Sequence, residues 1–431
     1  MQNYGWDLVH ACQADFINSQ MAAAPQEFIA GFFYNDSNVE IMNGQLSNWQ
    51  LVGGNGQLLR FSVTVQSGEL YFPNLGMLPS IYRPGIDLSG LTLLFELQLR
   101  LLSTPNNGLS LVFNCQVPGS QPGDTTPGAV TLVSPDVNGN INSVLAPLGI
   151  NLTQGAQQLH NALQNVIIQN AHFLSFCFAS LQSSYPTPPF GSFAYCYQAS
   201  TTGGLGGIAL LGTLNSSSLP SLQKTFDTTL LTTNTIGIVT SYACTLGFLA
   251  PVLANSFGGG CSATLFEVNY TSSTIYSCQS FNANNLNSIA FRTITPTINT
   301  TCFQLYNGQL IGTVTATVPI TGFSNASINS TSSSCNSCYY NNNGTFGFLT
   351  DTNASQSNSK NIPWYDYMLG AMPISGAIEN EIPNYANNIG TSINIDFAQH
   401  FGTLVQWCNQ SNISIVAGGA GTSLYLQANI V

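Results

Sequence analysis

Charge is what this chain has least of. Only 5% of its 431 residues are Asp, Glu, Lys or Arg, against roughly 25% in an ordinary soluble domain. The six cations, Arg60, Arg83, Arg100, Lys224, Arg292 and Lys360, stand singly along the sequence. Phosphate recognition needs clustered Lys and Arg, so nucleic acid is excluded as a partner. Electrostatic docking on anionic membranes is disfavoured on the same ground. Seventeen acids leave a net charge of −11, and Asn, Ser, Thr, Gln and Gly take the places that charges usually fill. A genomic or habitat bias explains this more simply than selection against trypsin-like proteases.

Catalytic signatures are missing as well. There is no G-x-S-x-G, no H-E-x-x-H, no Walker loop and no HxH pair. The chain is therefore expected to be no enzyme and to need no cofactor. His160 and His172 lie twelve residues apart on a helical stretch, about 120° and three turns from each other, so they cannot share a metal. "GGNG" (53–56) and "GGLGG" (203–207) do not sit between a parallel strand and a helix, and read as turns rather than phosphate loops. "DTTPG" (124–128) is a turn, and "SPDVNGN" (134–140) lacks the Glu that closes a calcium loop. Glu379 and Glu381 read as a solvated helix face rather than a carboxylate dyad.

The first residues carry no cationic region, and Asp7 and His10 interrupt any apolar run, so no classical signal peptide is expected. Cytoplasmic synthesis, with release by a non-classical route if it is released, fits that reading. The one charge-free stretch long enough to span a bilayer, residues 235–257, contains Thr235, Thr240, Ser241, Thr245, Gly247 and Pro251. It reads as a strand followed by a helix, and no integral membrane segment is expected.

Eleven cysteines, an odd number at irregular spacings, sit mostly in apolar runs such as "LSFCFAS" and "SYACTLG". Buried free thiols are the expected state. Cys335-Asn-Ser-Cys338 is the one CxxC, with no histidine or second pair nearby to complete a zinc site. A local disulfide is its alternative role in an exported protein. Sequons such as Asn35, Asn151, Asn269 and Asn343 are what a chain rich in Asn, Ser and Thr produces by chance.

What the chain does have is periodicity. Trp6, Val9, Cys12 and Phe16, then Ile17 and Met21, recur at steps of three and four, which predicts an opening helix with Asp7 in its first turn. Short alternating runs follow. The clearest is 57–68, with Leu59, Phe61, Val63 and Val65 on one side and Arg60, Ser62, Thr64 and Gln66 on the other. Gly, Pro and Asn punctuate them, as in an antiparallel meander. Residues 153–184 change period and give the strongest helix signal, with Leu159, Leu163, Val166, Phe173 or Leu174, Cys177 and Leu181 on one stripe and Thr153 as N-cap. "YPTPPFG" (185–191) ends it and marks a domain boundary. The second half repeats the grammar: strands near 193–214, a short helix at 242–257, more strand patterns including 345–351, an Asn/Ser-rich stretch at 324–361 that contains loops, and a helix-like 362–389 broken by Pro373 and Pro383.

"YGWD" before the opening helix, "FAYCYQAS…GGIALLGTL" in mid-chain and "LVQW…SIVAGGAGTSLYL" at the close resemble the accessory proteins of clostridial OrfX-type neurotoxin gene clusters. That family is linked to the TULIP, or tubular lipid-binding, superfamily. The resemblance implies an α+β fold of two TULIP-like domains, 1–190 and 191–431, each a long helix wrapped by a curved antiparallel sheet. It implies binding of a lipid or other apolar ligand, and association with other toxin-cluster proteins. The helix stripe then supplies the candidate groove: Leu159, Leu163, Val166, Ile167, Leu174 and Leu181. The same residues would serve equally as plain core. The chain departs from the family in having almost no Lys and Glu, so interfaces built on charge do not carry over. Two other readings remain: a protein-interaction scaffold of the same fold with a filled groove, and a secreted β-rich surface protein, which leaves the helix at 153–184 unexplained.

Overall fold

The computed structural model describes residues 2–79, 84–105, 108–181, 190–201, 203–204, 206–214, 222–289 and 292–431. Three antiparallel sheets make up most of it. The first has ten strands. Its path runs Gly31–Asn35, Glu40–Asn55, Leu58–Tyr71, Thr92–Ser103, Leu109–Asn114, Ala179–Leu181 and Val405–Trp407. Four register shifts between Glu40–Asn55 and Leu58–Tyr71 bend that pair, because each extra residue adds local twist and curls the sheet. Inside the curl lies the helix Leu152–Gln169, which buries Leu159, Leu163, Val166 and Ile167. Its buried Gln164 donates two hydrogen bonds of 3.1 Å, to the carbonyls of Gly119 and Val130, so the one polar side chain on that face is satisfied.

The six-stranded middle sheet takes Leu8–Gln13 between Gly207–Thr213 and Ile236–Thr240, and continues into Leu424–Ile430 and Ile413–Ala420. Both faces are covered. Leu8 and Cys12 join the main core, while Val9 and Ala11 join a smaller core with Trp6, Phe226, Leu230 and Leu231. The expected opening helix is corrected here: its first half is this strand, and only Ala14–Ala23 is helical. The spacing of three and four arose because a strand buried on both faces is apolar at nearly every position, and such a run satisfies either period. Asp7 caps no helix. Its carboxylate accepts from the Leu214 N–H at 2.8 Å and the Ser241 hydroxyl at 2.7 Å, tying three segments together.

The third sheet, of nine strands, runs through Thr297–Tyr306, Gln309–Pro319 and Ser327–Asn341, with Ser355–Asn361 paired to the last of these. The Asn/Ser-rich stretch 324–361, expected to contain loops beside the strand pattern at 345–351, is largely strand. A 15-residue strand occupies Ser327–Asn341, with Ser330, Ser332, Ser334 and Asn336 buried on one face. The helix Tyr385–Ser392 lies on that face. Ser332 Oγ accepts from the Ala386 N–H at 3.1 Å, and Asn336 Nδ2 donates to Asn387 Oδ1 at 2.7 Å. Small polar side chains thus form a core layer, which their low strand propensity does not reveal. Pro383 separates two helices as expected. Pro373 instead sits in the first turn of Ala371–Glu381, where a missing N–H costs nothing.

The long helix also ends earlier than its stripe predicts. After Gln169, Asn170 bonds the Val166 carbonyl at 2.8 Å, and the chain turns through Ala171–Phe173 into the strand Ala179–Leu181. Phe176 and Phe178 are buried in the irregular segment before that strand, where their rings pack on each other and Phe178 on Phe113. Residues 182–184 of the expected helix, and 185–189 of the expected boundary, lie outside the described residues. Pairing crosses position 190 twice: Leu8–Gln13 pairs with strands after it, and Ala179–Leu181 pairs with Val405–Trp407.

Candidate functional site: a groove at the mouth of the long helix

Two loops meet where the long helix begins. One is the turn Pro73–Leu75, closed by Gly76 at φ 76°, a left-handed conformation that glycine adopts without strain. The other is Ala146–Asn151, with Pro147 in its first turn. Between them lies a groove of about 360 Å³ lined by Leu75, Gly76, Met77, Pro84, Pro147, Leu148 and Asn151. That volume falls within the range of roughly 300–1,000 Å³ usual for small-molecule sites. Leu148 packs so closely on the helix that a Cβ at Gly155 would come within 2.2 Å of it. Leu78 and Ile150, next in sequence to the lining residues Met77 and Asn151, are exposed, Ile150 fully. Among the described residues no acid, base or histidine lines the groove, whose walls combine apolar side chains with Asn151 and backbone polar groups.

The helix residues expected to line a groove lie deeper. Leu159, Leu163, Val166 and Ile167 are at most 1% exposed and belong to the main core. Leu174 is buried beyond the end of the helix, and Leu181 is a half-buried strand residue opposite Leu109 and Val405. The groove's own residues escaped sequence reading because "LGML" and "APLGI" are loop stretches without periodicity. Their available signal was apolar side chains beside Gly and Pro, where polar residues are usual.

The remaining candidates resolve into structural roles. Cys335 and Cys338 lie three apart on one strand, so they point to opposite faces. At about 3.3 Å per residue they stand beyond disulfide reach, and both are free thiols. Asp136 is buried and accepts from the N–H groups of Thr92, Asn138 and Asn140. That engages both carboxylate oxygens of the loop that was compared with a calcium site. Asp124 accepts from the Ser120 and Thr126 N–H groups, which hold its carboxyl well below the usual range. Glu379 pairs with Lys360 at 2.7 Å. Among the described residues no three His, Cys, Asp or Glu side chains come together to hold a metal ion.

His10 is the one histidine sealed in the interior. Its Nδ1 accepts from the Trp407 indole at 3.0 Å, joining the middle sheet to the edge of the first. That leaves the proton on Nε2, which makes no well-formed hydrogen bond although the Gly402 backbone lies within reach of the imidazole. Burial drives its pKa down to about 3, while the nearby Gly402 carbonyl pulls weakly the other way. His160 and His400 are held low by burial to a lesser extent.

Curled antiparallel sheets closed by helices and joined through a shared middle sheet define an α+β protein of antiparallel type, as the sequence leads one to expect. No protein-family model matches the chain. It is 25% identical over 252 residues to Protein P47 of Clostridium botulinum strain Kyoto, type A2, a match covering 56% of this chain and 53% of that protein. The sequence match thus spans about half the length of the curated relative. The fold likeness runs further. It covers 100% of this chain and 98% of P47 from Clostridium botulinum A2, at TM-score 0.71 and 21% identity. It covers 100% of both chains for P47 of Clostridium botulinum E1, at TM-score 0.72 and 19% identity. The chain is thus similar to P47 in sequence and shares its fold from end to end, which bears out the resemblance to the OrfX-type cluster proteins.

Proposed function

We propose that this chain is a non-enzymatic accessory protein of a toxin gene cluster that binds a lipid or other apolar ligand, with the groove at the start of the long helix as the entry point. The observation that carries the reading is that groove: lined largely by apolar side chains, with no charged residue among the described lining residues, and flanked in sequence by the exposed Leu78 and Ile150. Exposed apolar surface at the edge of a concavity is costly in water and marks a place where something binds. A ligand headgroup would remain outside, since no charged side chain lines the groove among the described residues. Other proteins of the same cluster are the proposed macromolecular partners.

The test is native mass spectrometry and solvent extraction of the purified protein, followed by uptake of a fluorescent acyl probe. A stoichiometric lipid, or probe binding weakened by Leu148→Glu, supports the proposal. An empty protein that also ignores the probe refutes it. A second reading, an interaction scaffold with a filled interior, is favoured by the full burial of Leu159, Leu163, Val166 and Ile167. That reading becomes the account of the fold if the groove stays empty.

A further inference from the structure

The most exposed apolar side chains of the described structure include a consecutive set far from the groove in sequence. Trp364 is 79% exposed, Met368 78% and Leu369 74%, with Tyr365, Tyr367 and Met372 also open to solvent. They sit on the short helix Trp364–Met368 and the first turn of Ala371–Glu381. Gly370, at φ 93°, makes the corner between the two. Asp366, the only acidic or basic residue from 361 to 378, is buried beneath this surface. The nearest charges along the sequence, Lys360 and Glu379, neutralise each other across 2.7 Å. Asn325 donates to the Tyr365 hydroxyl at 2.9 Å and steadies that ring at the patch edge.

We propose that this knob docks the protein on the surface of an electrically neutral, zwitterionic lipid bilayer. Three features select that occupant. The side chains are those that settle at a membrane–water boundary: tryptophan and tyrosine, with an apolar ring and one polar group, surround methionine and leucine that enter the acyl region. Along 361–378 the one charged residue, Asp366, is buried, and a chain of net charge −11 is repelled by an anionic surface. The surface is built on a short helix and a turn that project apolar ends outward, a shape suited to shallow insertion. The proposal is independent of the groove: surface docking needs no internal ligand, and an internal ligand needs no docking.

The protein carries its own reporter. Of its four tryptophans, Trp6, Trp49 and Trp407 are buried, so Trp364 supplies the exposed emission. Phosphatidylcholine vesicles are the probe. Adding them should shift emission to the blue and protect it from acrylamide, and acyl-brominated phosphatidylcholine should quench it. A variant combining Trp364→Ser, Met368→Ser and Leu369→Ser should float with the vesicles about tenfold less. All three positions face solvent, and unchanged circular dichroism shows that the variant remains folded. No protection and no flotation with phosphatidylcholine overturns the proposal. So does binding confined to phosphatidylserine vesicles, which makes the attraction ionic. A blue shift that follows protein concentration without lipid also overturns it and assigns the patch to a second copy of the chain.

Discussion

His10 offers the sharpest physical test of the architecture, because it joins two sheets and titrates in an accessible range. Unfolded, its imidazole has a pKa near 6.5; folded, burial lowers it to about 3. The folded state therefore resists the proton that the unfolded chain accepts. This contribution to stability is complete above pH 6.5 and is lost as pH falls toward the folded value. Each pH unit costs about 1.4 kcal/mol, so at pH 5 the loss is about 2 kcal/mol. For a chain this long that lowers Tm by about 2 °C, from the usual unfolding entropy per residue. Carboxylates with lowered pKa values, such as Asp36 and Asp87, act at more acid pH, below their unfolded value near 4. His160 and His400 act in the same direction as His10 and must be subtracted. The assay is thus the change in Tm between pH 7.5 and 5, measured for the native chain and for His10→Asn. The variant is expected to be less stable at both pH values, because it loses packing at the seam, and to show a shallower pH slope. Equal slopes in the two proteins would refute the argument that the sealed, uncharged imidazole sets the acid sensitivity.

Other perturbations address the cores and the cysteines. Leu163→Ala should lower stability by about 2–5 kcal/mol if the helix stripe is packed core; a urea midpoint that hardly moves would show room for a guest there. Asn336→Ala removes the donor to the Leu349 carbonyl and to Asn387 Oδ1 and should cost about 1–3 kcal/mol in urea unfolding. Gly390→Ala should destabilise despite alanine's better helix propensity, because the new Cβ would meet Asn336 Oδ1 at 2.2 Å; a rise in Tm would contradict that packing. Under oxidising conditions, mass spectrometry of proteolysed native protein should find no Cys335–Cys338 bridge, and an alkylating probe should reach Cys278 and Cys302 before any buried thiol.

Sequence alone determined the features that follow from local pattern and composition. Strands such as Leu58–Tyr71 announce themselves because one face is buried and the other wet, which forces alternation. Leu152–Gln169 announces itself because one stripe of a helix is buried. The scarcity of Lys and Arg disfavours charge-driven partners before any fold is known. Tertiary structure decided whatever depends on neighbours. Leu8–Gln13 is a strand because two other strands flank it and apolar layers cover both faces; its own spacing suits a helix equally well. Ser327–Asn341 is a strand because a helix supplies partners for its serines and asparagines, and no local propensity encodes that pairing. Residues 174–181 leave the helix because Phe176 and Phe178 pack into an aromatic cluster with Phe28 and Phe113, and Ala179–Leu181 completes a sheet. The groove and the Trp364 knob belong to the same class: each is made of residues that read as punctuation or as an ordinary amphipathic run. Only the packed chain shows that these side chains are left facing water, since exposure is a property of what fails to cover a residue.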